Sequence, residues 1–163
     1  MHFLEKDLEL IIWESSNQKL NEKGLPITGK KLRQVKIGNY GIADLITYNK
    51  IHLYGLPFLD ITVYELKKEK VGISAFLQAV RYCKGIKSYF DEYRPNMYFK
   101  LNIVLCAKEV DINSDYIFLT DMISSDYQGS ISNLSNYSFS YEIDGIKFKR
   151  EYNYDLTHKG FKL

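Results

Sequence analysis

The chain opens with apolar residues spaced as on one face of a helix. Phe3, Leu4, Leu8, Ile11 and Ile12 recur at helical intervals, and the pattern predicts a helix over Phe3–Trp13. Glu5, Asp7 and Glu9 load its first turns with negative charge, which suits the positive end of a helix dipole. From Asn17 to Lys31 the pattern is lost. This stretch is polar, carries Gly24, Pro26 and Gly29, and is expected to be a loop. The period then shortens to that of a strand. Leu32–Ile37, a turn at Gly38-Asn39-Tyr40-Gly41, and Ile42–Tyr48 form a predicted hairpin. A third strand runs from Leu56 to Lys67, followed by the basic turn Lys67-Lys68-Glu69-Lys70 and Gly72. Ile73–Phe90 reads as a long helix, with Ile73, Phe76, Leu77, Val80 and Lys84 along one mainly apolar side.

Beyond Pro95 the run Tyr98–Ala107 is almost continuously apolar, as a central strand covered on both faces should be. Tyr116–Thr120 is expected as a short strand. Tyr137–Ile143 and Ile146–Tyr152 are expected as a hairpin turning at Asp144-Gly145. Helix, three strands, helix, strand and further β define an α/β chain with a mixed central sheet flanked by helices. The 163 residues fit one domain spanning 1–163, without repeats, low-complexity tracts or linkers.

Two positions break the alternation in a way that packing does not favour. Leu59, Ile61 and Val63 share one face of the third strand, and the next two positions on that face are Glu65 and Lys67. Burying such charges is costly unless they are paired or hold an ion. In the preceding strand Asp44 sits among apolar residues in Gly41-Ile42-Ala43-Asp44-Leu45-Ile46, where neither strand propensity nor burial favours an aspartate. Adjacent strands could bring Asp44 and Glu65 together, and facing carboxylates stay ionised only with a cation between them. Oxygen ligands of this kind suit Mg²⁺. An ordinary ion pair at a strand end is the competing reading for any one of these residues taken alone.

Ile42-Ala43-Asp44 followed by Tyr64-Glu65-Leu66-Lys67 resembles the bipartite motif of the PD-(D/E)xK nuclease superfamily. Gln78-Ala79-Val80-Arg81-Tyr82 in the next helix resembles the Q-x-x-x-Y element of its RecB-like branch. The first helix, with Glu5 and Leu8, is similar to the acid-bearing first helix of that superfamily, and Glu5–Tyr82 as a whole most resembles NucS/EndoMS-type nuclease domains. The likeness covers about the first ninety residues. The proline that often precedes the motif acid is replaced by Ala43, and the separate DNA-binding domain of the NucS type is expected to be missing ahead of the first helix.

The resemblance implies a restriction-endonuclease-like core and Mg²⁺- or Mn²⁺-dependent hydrolysis of DNA. Asp44 and Glu65 would hold the metal with the backbone carbonyl of Leu66, and Glu5 or Glu9 would complete the shell, Glu5 being preferred for its match to E-x-x-L. Lys67 would orient or deprotonate water or stabilise developing charge. Gln78 and Tyr82, one helical turn apart, would hold a nucleotide or brace the ligands. Arg81, Lys68, Lys70, Lys30 and Lys31 are candidate phosphate contacts.

Net charge is +2, which neither requires nor excludes a nucleic-acid partner, since a local basic patch is sufficient. Cys83 and Cys106 have no zinc or redox spacing and are expected as reduced, buried thiols of a cytoplasmic protein. The N-terminus lacks the apolar core of a signal peptide, and no run is long enough to span a bilayer, so no membrane partner is expected. His2, His52 and His158 form no cluster in sequence. The rival readings are a catalytically silent nucleic-acid-binding or interaction protein on the same fold, and a subunit whose tyrosine-rich C-terminal β is an interface. A homodimer would suit cleavage of both strands of a duplex.

Overall fold

The long alternation after Gly41 folds as an extended hairpin. In the computed structural model, which describes residues 4–112 and 130–152, β1 (Lys30–Lys36) and a single 3₁₀ turn at Gly38–Tyr40 lead into β2 (Ile42–Leu53) and β3 (Leu56–Leu66). β2 and β3 turn back at Tyr54 and Gly55, with φ of 51° and 78°, the pair of positive values that a two-residue hairpin loop needs. β4 (Lys70–Val71), β5 (Tyr98–Ala107), β6 (Glu109–Val110), β7 (Ile131–Glu142) and β8 (Gly145–Glu151) complete the strands. Six of them form one mixed sheet in the order β1-β2-β3-β5-β7-β8, while β4 and β6 pair separately. β3, β5 and β7 run parallel, and the outer pairings are antiparallel.

Helices cover both faces. α3 (Ile73–Tyr93) packs Ala75, Phe76, Ala79, Cys83 and Ile86 against Ile46, Ile61, Val63, Leu101 and Ile103. On the opposite face α1 (Glu5–Glu14) and α2 (Asn17–Glu22) contribute Leu8, Ile12 and Leu20 to a core with Leu45, Tyr64, Leu66, Val104 and Cys106. β3 and β5 are therefore buried on both sides, which explains the unbroken apolar run of β5.

Two expectations need correction. Residues 17–31 are not all loop, because Ser16 caps α2 by accepting a 3.2 Å hydrogen bond from the Lys19 amide, and Leu20 anchors the short helix in the core. The apolar side expected for α3 is only partly its buried side, since Phe76 is buried and Val80 packs on the core. Ile73 and Leu77 are 49% and 57% exposed, whereas Ala75, Ala79 and Gly85 face inward. Small residues let the helix pack closely beside buried Phe76 and Ile86, so side-chain size alone does not mark its buried stripe. Tyr116–Thr120, His2 and His158 lie outside the described residues, and His52 is exposed.

Gly85 shows how close that approach is. A β-carbon there would stand 2.5 Å from Ile37 Cγ2 and 2.7 Å from the Tyr40 ring. In an open helix Gly→Ala would stabilise by about 1 kcal/mol. Overpacking costs about 1–3 kcal/mol, so Gly85→Ala is expected to lower the urea midpoint. An unchanged or raised midpoint would show that Tyr40 swings away freely.

Candidate active site

The β2–β3 ladder is regular only as far as Leu45↔Tyr64. At the next position, where Asp44 would face Glu65, the strands part, and the Leu66 amide donates to Asp44 Oδ2 at 3.1 Å instead. The β1–β2 register likewise passes from Arg33↔Leu45 to Val35↔Ala43, skipping Gln34. Gln34 has φ of 50°, an uncommon left-handed conformation for a residue with a side chain. Ala43 and Ile46 pack in the α3 core while Leu45 packs in the α1 core, so the in–out alternation breaks at Asp44. Backbone irregularity of this kind, inside otherwise regular strands, concentrates at functional sites.

Glu65 is 1% exposed at the end of β3. Lys67 Nζ lies 2.7 Å from its Oε1 and 3.8 Å from Glu5 Oε1. The Glu65 contact is close but off-axis, so neither buried Glu65 oxygen has a well-aligned hydrogen bond. Burial pushes the Glu65 carboxyl up to about 7, with Lys67 opposing the shift and Asp44 and Glu5 adding to it. Asp44 is raised by burial too, partly offset by the Leu66 amide and Lys67, and further raised by Glu5 and Glu9. Burial works against the Lys67 charge, but the close ion pair with Glu65 and the charges of Glu5 and Asp44 outweigh it and raise its pKa above the ordinary lysine value. The result is an acidic pair under mutual repulsion, with one lysine held charged beside it.

The two helix acids differ. Glu5 is half-exposed beside Lys67, whereas Glu9 is buried and already engaged: Arg33 Nε donates to its Oε1 and Gln34 Nε2 to its Oε2, the latter at 2.6 Å. From α3, Gln78 Nε2 donates to the Tyr82 hydroxyl at 2.6 Å. Tyr82 is 2% exposed, and its hydroxyl is raised by burial, against the Gln78 bond, with the charges of Glu65 and Asp44 adding to the rise. Asp44, Glu65, Lys67, Glu5, Gln78 and Tyr82 thus come together from four elements.

The other candidates are peripheral. Lys68 lies 3.4 Å from Glu69 and Lys70 3.3 Å from Asp111, and Arg81 is exposed on α3. Lys30 is exposed at the start of β1. Lys31 has a structural use, since its ammonium bonds the carbonyls of Ile12, Trp13 and Ser15 and so neutralises the C-terminal end of α1. Arg33 and Gln34 were not singled out in the sequence, where an arginine and a glutamine on an edge strand look like ordinary solvated positions.

Among the described residues no three His, Cys, Asp or Glu side chains converge as a ready-made metal cluster. Two carboxylates, one with both oxygens buried and poorly satisfied, form an oxygen-only donor set that fits a hard divalent cation completed by backbone carbonyl or water. Among these residues, too, no helix is long and apolar enough to cross a membrane.

These features define a mixed α/β protein with a six-stranded mixed sheet and a carboxylate–carboxylate–lysine centre where two antiparallel strands part. No protein-family model, curated protein or solved structure matches the chain.

Proposed function

We propose that this chain is a metal-dependent nuclease of the PD-(D/E)xK, restriction-endonuclease-like type, hydrolysing phosphodiester bonds of DNA. The observation that carries the reading is the convergence of Asp44, Glu65 and Lys67 at the parting of β2 and β3, with Glu65 buried, ion-paired to Lys67 and without an aligned hydrogen bond to either oxygen. Asp44, Glu65 and the Leu66 carbonyl would hold Mg²⁺ or Mn²⁺. Glu5 is the better-placed helix acid, because Glu9 is committed to Arg33 and Gln34. Such an ion would polarise the phosphate and ease deprotonation of water. Lys67, kept charged by three carboxylates, would orient the attacking water and stabilise negative charge growing on the phosphoryl oxygens. Arg81, Lys68 and Lys70 would meet the DNA backbone, and a homodimer would serve cleavage of both strands.

The direct test is conversion of supercoiled plasmid to nicked circles by purified protein with Mg²⁺ or Mn²⁺, against an EDTA control. Metal-independent DNA binding without any nicking would favour the catalytically silent alternative and sink this reading.

Gln78 offers a separate check. Its bond to Tyr82 holds a hydroxyl that feels the charges of Glu65 and Asp44, so Gln78→Ala should slow cleavage at least about tenfold while costing only about 1 kcal/mol of stability. An unchanged rate with a clearly lowered melting temperature would make Gln78 purely structural.

A further inference from the structure

The irregularity at Asp44 has a counterpart on the neighbouring strand. β1 and β2 pair at Arg33↔Leu45 and Val35↔Ala43, so the skipped Gln34 falls opposite Asp44. Successive side chains of a regular strand point to opposite faces. Arg33 and Gln34 instead both reach Glu9 on α1, Arg33 through Nε to Oε1 and Gln34 through Nε2 to Oε2 at 2.6 Å. The left-handed backbone of Gln34, with φ of 50°, turns these two consecutive side chains toward one carboxylate. That conformation is costly for a residue with a side chain, and it persists only where the surroundings impose it.

Holding α1 against the sheet does not require this arrangement. Lys31 already ties β1 to the end of α1 through the carbonyls of Ile12, Trp13 and Ser15. Leu8 and Ile12, on the same helix, are fully buried in the core. A buried ion pair adds little to stability beyond what apolar packing would give.

What the arrangement does accomplish is to fix an arginine beside the acidic pair. Glu9 is 5% exposed and grips Arg33 by Nε, while the Arg33 side chain stays 37% exposed. Neither terminal nitrogen of the guanidinium donates a hydrogen bond to a described residue. A guanidinium held in this way keeps outer donors available in a fixed direction, which suits the oxygens of a phosphate. The charge of Glu9 is felt at Asp44, so the pair lies close to the centre. The neighbouring lysines are engaged: Lys67 with Glu65 and Glu5, Lys68 with Glu69, and Lys70 with Asp111.

We propose that Arg33 is a substrate-binding residue of this centre, its guanidinium receiving a backbone phosphate of the bound strand, with Glu9 and Gln34 as the positioning residues that aim it. The assignment rests on the nuclease reading of Asp44, Glu65 and Lys67.

The test replaces both members of the ion pair at once. Glu9→Gln with Arg33→Gln leaves the net charge of the chain at +2, so general attraction to DNA is unchanged and no buried charge is left alone. Binding of a fluorescein-labelled duplex is followed by anisotropy in Ca²⁺ over a range of salt concentrations. The double variant should bind about tenfold more weakly, and the slope of log affinity against log salt should fall by about 0.9, the share of one phosphate contact. Arg33→Lys, which keeps the charge without the fork, should retain the slope and only part of the affinity. A folded double variant with unchanged affinity and slope makes the pair structural and overturns the assignment. Nicking of plasmid by wild type in Mg²⁺ would then leave the nuclease reading standing. Should the double variant unfold, Arg33→Lys decides, and wild-type affinity in that variant overturns the assignment. A wild type that neither binds nor nicks DNA removes both readings.

Discussion

Alanine at Asp44 or Glu65 is expected to leave no metal-dependent cleavage above background, and alanine at Lys67 to slow it by about 10²–10⁴-fold, the usual range for a positioned proton-transfer group. The three are not equivalent in kind. In the proposed reading Asp44 and Glu65 would supply the oxygen ligands, so their loss would remove the cation itself. Lys67 supplies a charge that Glu65, Glu5 and Asp44 maintain, so metal affinity should survive its removal. Single-turnover rates at saturating Mn²⁺, together with Mn²⁺ binding followed by electron paramagnetic resonance, separate the two effects. An Asp44→Ala protein that cuts as fast as wild type would disprove the assignment. A Lys67→Ala protein that loses metal binding in parallel would demote the lysine to a structural counter-ion.

Stability should move in the opposite direction to activity. Keeping Glu65 ionised in a site that moves its carboxyl from 4.5 to about 7 costs on the order of 3 kcal/mol. Asp44 adds to that cost, because its charge raises the Glu65 pKa. Asp44→Asn removes the repulsion, and its side-chain carbonyl can still accept from the Leu66 amide. The metal-free Asn variant should therefore unfold at the same temperature as wild type or higher. Because the folded-state values of Asp44 and Glu65 lie above their ordinary ones, both favour the folded state most in acid, and the Glu65 contribution is fully present below about pH 4 and declines as pH rises through 7. Metal-free wild type should lose stability across that window, and Asp44→Asn should lose less. Mg²⁺ or Mn²⁺ at about 100 times its dissociation constant should then add roughly 2.7 kcal/mol to wild type and little to the variant. A strongly destabilised Asp44→Asn that still responds to metal like wild type would place Asp44 in a structural ion pair and end the catalytic reading.

Much of the sheet was legible because strand period and turn chemistry agree over long stretches. The β2 and β3 segments read as strands, although β2 runs on past Tyr48 to Leu53 and turns back at Tyr54 and Gly55, and Asp144-Gly145 falls within one residue of the β7–β8 turn at Ile143-Asp144. The charged end of β3 was legible for the same reason, since Glu65 and Lys67 interrupt an apolar face at a fixed parity. What the sequence hid depends on contacts between distant segments. The pairing of Glu9 with Arg33 and Gln34 spans more than twenty positions. The left-handed backbone at Gln34 carries no compositional mark, because the usual residues for that conformation are glycine and asparagine. The buried stripe of α3 is hard to read because it mixes sizes: close approach to Ile37 and Tyr40 selects a glycine at 85, beside buried Phe76 and Ile86.

The chain's two cysteines have a practical consequence. Cys83 and Cys106 are 2% and 0% exposed, and burial pushes the Cys83 thiol up to about 12 and the Cys106 thiol further upward. Thiol reagents act on the thiolate, so at neutral pH both native sulfurs should stay unmodified. The turn at Tyr54, a residue 103% exposed, lies about 34 Å along the strand from Asp44 at some 3.4 Å per residue. Tyr54→Cys would give the folded protein one addressable sulfur, well away from the acidic pair. A fluorophore or surface tether attached there could follow single molecules through binding and turnover without touching the site under study.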